Sequence, residues 1–473
     1  MFTQRKTKIA IFSIIFFLAM LVRLWKMEYI PFQNDGDELA FVFTGLSLFD
    51  LGFPVSWSSF EYGQEYFQGK YELGDVKFNT KETFTMVGPW FDNPFLLSVI
   101  QGAWLKTAGY SFPVAPPSLV IRLPMLVAAG FTLFFVFRIA QKIFGFYPAL
   151  LSLIIMGFSP SLILGQRMVA TENIYIPLTL MAIYHLLFSK KKHIIVLVLL
   201  TVLAALAKFP GFICLIIIAS YFLINKEYKK MVIYVVASIA LFLVIYLSYV
   251  SYFDFQHFLT ALEIQSHRLV GWHNPFFIFS HPGFLNFVMP DFSYYLIIIL
   301  GMIEFFSKSS KKSLALGKIA VLTSLIMIWA TSGAEDMLGW YKLPLFTFLS
   351  ILAAGAVKKE RILSLFALLV ITVLNNFGLI YYPEIGFPRG NVLRSALIIF
   401  FVFYLSLHFL RKKTKKNSLS TQSIFLISIL TIYIGYSFYF AHNYYFSLCK
   451  DKTCKIPSLT LKTAIENRSL KPE

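Results

Sequence analysis

Residues 9–26 read IAIFSIIFFLAMLVRLWK, an apolar run that meets no charge before Arg23. At about 1.5 Å of rise per residue, such a run extends about 27 Å as a helix, close to the thickness of a hydrocarbon core. No small-residue cleavage site closes it, and Arg23, Trp25 and Lys26 follow directly, so it reads as a retained span and not as a cleaved leader.

The whole chain has the same character. Of 473 residues, 58% are hydrophobic and 14% charged, and the mean hydropathy is +0.70. Soluble domains carry about a quarter charged residues. The net charge of +18 raises the possibility of nucleic acid. The basic residues, however, fall in short clusters between apolar runs: SKKK at 189, NKEYKK at 225, SKSSKK at 307, KKER at 358 and RKKTKK at 411. None is interleaved with groups that read bases, and the pattern is that of cytoplasmic loops, which excludes nucleic acid as a partner and names the lipid bilayer.

Further runs lie near 120–141, 147–165, 172–188, 193–207, 209–224 and 231–251, then 293–307, 315–331, 342–357, 362–381, 392–410 and 423–440. Together they predict an all-α polytopic membrane fold of about thirteen spans over residues 1–440, with a short external tail at 441–473. Residues 95–110, FLLSVIQGAWLKTAGY, are ambiguous. Counted as a span, they would put the clusters at 190 and 229 outside; kept on the surface as a juxtamembrane helix, they leave every basic cluster inside. Residues 28–119 then form a first external loop of about ninety residues, and 252–292 a second. Long loops on a rigid scaffold are where function concentrates.

The first loop opens with QNDGDELAF at 33–41. Leu39, Val42, Phe43, Leu46 and Phe49 have the spacing of a one-sided helical stripe, opposite Ala40, Thr44, Ser47 and Asp50, which predicts an amphipathic helix lying in the interface. Asp35 as N-cap and Glu38 three residues on would make a capping box. Asp37 then has no structural task and is free to face a reaction centre. Asp35-Gly36-Asp37 also has the acid-x-acid form that holds a divalent ion against a nucleotide diphosphate, but no Gly-rich strand-to-helix turn accompanies it.

Asp37-Glu38 and its helix are followed by FDNPF at 91, RLPML at 122, SPSLILGQRMVATEN at 159 and LAALAKFPG at 203–211, with GWYKLP at 339. This succession resembles the polytopic GT-C glycosyltransferases, in their protein O-mannosyltransferase and aminoarabinose transferase branch, chiefly over about the first 225 residues. The resemblance implies an external active site, a polyprenyl-phosphate sugar as donor, and inverting transfer to a hydroxyl acceptor on protein, lipid or glycan. It implies Asp37 as general base, Glu38 as the second acid of the pair, and an acidic, cavity-facing Glu172. The family's His-Pro-Pro after the aromatic-Asp pair is Asn93-Pro94-Phe95 here, and the large soluble carboxy-terminal domain of some members is missing. Asp92 and Asn93 are expected to line the substrate.

The chemistry is consistent with that expectation. A hydroxyl is a poor nucleophile near neutral pH, so inverting transfer needs a carboxylate to take its proton. Charge grows on the leaving phosphate, and fixed cations stabilise it. The cations expected at external helix ends are Arg122, Arg167, Lys208 and Lys342, with Tyr341 beside the last. Lys208, between AALA and FPGFICLIII, is the sharpest, because an ammonium among apolar residues needs an anion or an exit to water. Arg167 and Glu172 either form a local ion pair or serve the site, with Arg167 as counter-cation.

His257, His267, His273 and His281 share the second loop without metal-ligand spacing, so no metal site is expected, and the surrounding aromatics read as an interfacial belt. No cofactor is expected, and a divalent cation is not favoured. Cys214 reads as packing, while Cys449 and Cys454 would allow a small disulfide loop in an oxidising compartment. A transporter or lipid-carrier flippase is the alternative, although no internal repeat supports it, and a glycan polymerase or ligase is the third reading. A prokaryotic plasma membrane, with the site on its outer face, is the expected location.

Overall fold

The computed structural model describes residues 2–28, 37–58, 60–75, 80–189, 193–267, 294–308, 311–331 and 339–358. Asp35, His273, His281, Cys449, Cys454, the runs at 362–381, 392–410 and 423–440, and the tail lie outside these residues. In the described residues the apolar runs are helices. Helix α1 is Phe2–Leu24. The first loop contributes α2 (Asp37–Leu51), strands β1 (Ser56–Trp57), β2 (Phe67–Asp75) and β3 (Thr80–Val87), and α3 (Leu96–Thr107). Then follow α4 (Ser118–Phe144), α5 (Phe146–Phe158), α6 (Pro160–Arg167), α7 (Glu172–Phe188), α8 (Ile194–Ala207), α9 (Ile213–Ile224), α10 (Tyr228–Phe253) and α11 (Phe255–Ser266). The last three are α12 (Tyr294–Phe305), α13 (Lys312–Thr331) and α14 (Leu343–Lys358).

Among the described residues α1, α4, α10 and α13 are each long and apolar enough to cross a bilayer, and α5 and α6, bent by 63° at their break, pass the same test only as a pair, as a broken span or a re-entrant loop would. Helix α14 packs on α12, α4 and α5, and α7 lies between α4 and α8. The fold is thus a polytopic bundle of apolar helices. It is not helical throughout: β1, β3 and β2 form a three-stranded antiparallel sheet in the first loop, with Tyr71 opposite Phe84 and a bulge between Phe67 and Gly69. The strands FQGKYELGD and TKETFTMV are polar enough to carry no hydropathy signal, which is why the sequence reading expects helices alone.

The interfacial helix expected from Leu39 is corrected. In α2 every residue from Glu38 to Ser47 is buried, those of the supposed polar face included. Its faces meet α3 and β1, and its polar side chains are satisfied internally: Thr44 donates to the Ala40 carbonyl at 2.8 Å, and Ser47 Oγ accepts from the Val55 amide at 2.8 Å. Two glycines allow α2 and α3 to touch backbone to backbone. A Cβ on Gly45 would lie 2.2 Å from the Ser98 carbonyl oxygen and 2.6 Å from the Gly102 nitrogen. Gly45→Ala is therefore expected to destabilise the protein by about 1–3 kcal/mol or more, read as a lower midpoint of thermal unfolding in detergent. An unchanged midpoint would mean that this contact is looser than described.

Two buried helix ends are capped by arginines. The α5 ladder stops at Ser159-Pro160, and Arg23 reaches across from α1 to donate to the Met156 carbonyl at 2.6 Å and the Gly157 carbonyl at 2.8 Å. Its Nε also donates to Gln166 Oε1 at 2.9 Å. In return Arg167, the last residue of α6, caps the end of α1, its Nε donating to the Arg23 carbonyl at 2.8 Å and Nη2 to the Trp25 carbonyl at 2.6 Å. Unpaired carbonyls are costly where water is excluded, so this exchange fixes the α1 end against the α5–α6 bend. Both determine where the following loop begins.

Candidate active site

Three helix breaks converge on one end of the bundle. Glu172 opens α7, where a carboxylate is favoured by the helix dipole, and the turn before it is pinned by Asn173, which donates to the Gly165 and Met168 carbonyls, each at 2.8 Å. Lys208 ends α8 in an extended conformation, φ −163° and ψ 147°. Pro210, having no N–H, cannot continue the ladder. The chain turns back in a 3-10 segment, Phe209–Phe212, close enough that a Cβ on Gly211 would fall 2.0 Å from the Ala204 carbonyl oxygen. Tyr341 lies in a second 3-10 turn, Gly339–Lys342, just before α14.

Lys208 Nζ joins these breaks. It donates to Glu172 Oε1 at 2.8 Å and sits 4.3 Å from the centre of the Tyr341 ring. The charge of Asp37, the half-buried first residue of α2, also acts on Lys208. The Lys208 side chain keeps 14% exposure while Glu172 keeps 1%, so the ammonium is the accessible member of the pair. Beside it opens an apolar cleft whose wall includes Tyr175, Pro210, Ile213, Met327 and Tyr341.

The other acid of the first-loop pair has a different task from the one expected. Asp35, the expected N-cap, lies outside the described residues, and the Glu38 carboxylate has distant partners. It receives Arg122 Nη2 at 2.7 Å and Nε at 3.0 Å, a two-point pair, together with the Val169 amide at 2.8 Å. Arg122 Nη1 donates to the Met27 carbonyl at 2.8 Å. Arg122 is fully buried, and its hydrogen bonds join α4, the α1–α2 connection and α2. Arg167 likewise is buried and turned to the α1 carbonyls, and Lys208 supplies the counter-cation expected of it for Glu172.

Asp92 is a brace. Its carboxylate accepts from the Tyr62 hydroxyl at 2.7 Å and from Ser58 at 2.5 Å, and its backbone carbonyl accepts from Gln265 Nε2 at 3.0 Å. The Tyr62 phenol is pushed well above its ordinary range, by burial first and then by the Asp92 charge. Asn93 is half-buried at the turn into α3, and Lys342 is buried at the head of α14. His257 is fully buried among aromatic rings, so the interfacial belt expected there is not what surrounds it. Cys214 is buried and accepts from the Thr201 hydroxyl at 3.2 Å. Among the described residues no three His, Cys, Asp or Glu side chains are grouped to hold a metal.

Arg23, Gln166, Ser58 and Tyr62 were not singled out from sequence. Arg23 carried a usable signal, a cation at the end of an apolar run; the hydroxyls carried none.

Residues 99–249 match the family model described as dolichyl-phosphate-mannose-protein mannosyltransferase. A comparison with curated proteins gives no match. Among solved structures, ArnT from Cupriavidus metallidurans bound to undecaprenyl phosphate is 13% identical, with 93% of this chain and 77% of that one covered at a TM-score of 0.49. The oligosaccharyltransferase AglB from Archaeoglobus fulgidus, in complex with an inhibitory peptide and a dolichol-phosphate, is 10% identical, with 92% and 56% covered at 0.48. This chain therefore spans little more than half of the archaeal enzyme. The family match covers about a third of the chain, from α3 into α10, and includes Arg122, Arg167, Glu172 and Lys208.

Proposed function

We propose that this protein transfers a sugar from a polyprenyl-phosphate sugar to a hydroxyl acceptor, with inversion at the anomeric carbon. The observation that carries the reading is one accessible ammonium, Lys208, paired with Glu172 at 2.8 Å and facing the Tyr341 ring, with Asp37 near enough for its charge to act on it. Asp37 takes the acceptor proton as the hydroxyl attacks. Lys208 meets the negative charge that grows on the departing lipid phosphate, and Glu172 orients that lysine.

The same arrangement supports an extracytoplasmic reaction. Helix α1 enters from Arg5, Lys6 and Lys8 and ends at the Arg23 contact. Helix α4 begins near Arg122 and ends with Arg138 and Lys142, whose charges lie over the Phe188 ring at the far end of α7. Lys312 donates to Asn225 at 2.7 Å, drawing the 225 and 307 clusters together. Site and basic clusters thus occupy opposite helix ends, and basic loops face the cytoplasm.

Lys208→Met should weaken donor binding and slow transfer by about tenfold or more, since a charge-assisted contact contributes about 1.5–3 kcal/mol. Titration of the reconstituted protein with a polyprenyl-phosphate sugar reads both effects. Unchanged affinity and rate would remove the lysine from the site. Chelation is expected to leave the rate unaltered, because the donor carries one phosphate and Lys208 is at hand; a loss restored by magnesium or manganese would overturn that.

A further inference from the structure

His257 belongs to a cluster that the transfer chemistry does not use. It sits in the first turn of α11, which Asp254 caps by accepting from the His257 amide at 2.9 Å. Its ring is fully buried. The ring centres of Tyr66, Tyr62 and Phe91 lie 3.7, 4.9 and 5.7 Å away. Among the described residues neither imidazole nitrogen has a hydrogen-bond partner of good geometry. Tyr62 also donates to Asp92, whose carbonyl accepts from Gln265 at the other end of α11, so ring cage and hydrogen bonds join the same two parts: α11, and the first-loop segments around 58–66 and 89–92.

We propose that His257 is a proton-operated latch that holds α11 against the first loop when its ring is neutral and releases it when the ring is protonated. The geometry supplies the reason. A neutral imidazole packs among three rings as an apolar plate, whereas an imidazolium there has lost its water. Among the described residues, Asp254 on its own helix and Glu65 on the first loop favour the charged ring, as does the backbone of Pro89. The Asp92 charge is engaged by Ser58 and Tyr62. Burial outweighs these partners, and the docked ring titrates below its ordinary value.

The direction of the effect follows. The undocked ring, in water, takes a proton near pH 6.5, while the docked ring takes it only at lower pH. Docking is therefore complete above about pH 6.5 and weakens as pH falls, by up to about tenfold per pH unit until the docked ring titrates too. Release would also free Gln265 from Asp92 and loosen the brace on the loop that carries Asp37.

Hydrogen exchange of the full chain in nanodiscs at pH 7.5 and 5.5, corrected for intrinsic exchange, tests this. Peptides covering 56–67 and 255–266 should both exchange faster at the lower pH, by as much as about tenfold, with α4 unchanged. In His257→Phe, which keeps a ring but cannot titrate, the two peptides should stay protected at pH 5.5. Should that variant not fold, His257→Gln serves: equal exchange at both pH values supports the latch. Wild-type peptides indifferent to pH, or a variant that still opens with acid, would overturn it.

Discussion

Asp37→Asn is expected to lower sugar transfer by about two to four orders of magnitude, the usual contribution of a positioned general base, while donor binding stays nearly unchanged. The amide has the shape of the carboxylate but cannot take the acceptor proton. Asp37 begins α2, so no backbone distortion should follow from the exchange. The lost charge also removes one of the anions acting on Lys208, but Glu172 remains at 2.8 Å to hold that lysine. The test is single-turnover transfer with a polyprenyl-phosphate sugar beside a binding titration of the same donor. The alkaline-going rise of the pH–rate profile, which reports the base, should vanish with the activity. Retained turnover would remove the base from the mechanism and favour a lipid-carrier transporter.

Arg122→Ala should cost about 3–5 kcal/mol of stability, the range for removing one partner of a buried ion pair. Glu38 and Arg122 keep 1% and 0% exposure, so the stranded carboxylate would have no water to turn to. The Val169 amide alone would remain to it, and the Met27 carbonyl would lose its donor. The loss should appear in unfolding without any donor present, and Glu38→Gln should show a similar defect. Stability equal to the wild type together with weakened donor affinity would return Arg122 to the phosphate-binding role that its place in the sequence suggested.

The two predictions separate residues that the sequence had grouped. Arg122, Arg167 and Lys208 all stand at ends of apolar runs, and nothing in their spacing tells a strut from a ligand. Their partners decide. Arg122 has Glu38 and Arg167 has the α1 carbonyls, both from more than 80 residues away in sequence. Lys208 alone of the three keeps a share of its surface beside a cleft. Asp37 and Glu38 were likewise parted on the sound ground that neighbours on a helix point in different directions. The partner of Glu38 is beyond local reading, because a local cap is visible in a sequence and an arginine 84 positions on is not.

By itself the sequence determined the membrane environment, the positions of the apolar helices now described, though neither α11 nor the break between α5 and α6, and the short list from which the site is drawn. These follow from local quantities: apolar length against bilayer thickness, the placement of basic clusters, and charges too costly to leave among apolar neighbours. Only the tertiary structure decided which of those charges neutralise one another, that α2 is enclosed on its supposed wet face, and that a polar hairpin in the first loop folds as sheet. Each of these depends on groups far apart in the chain, and pairing energy belongs to the distance between two atoms in space.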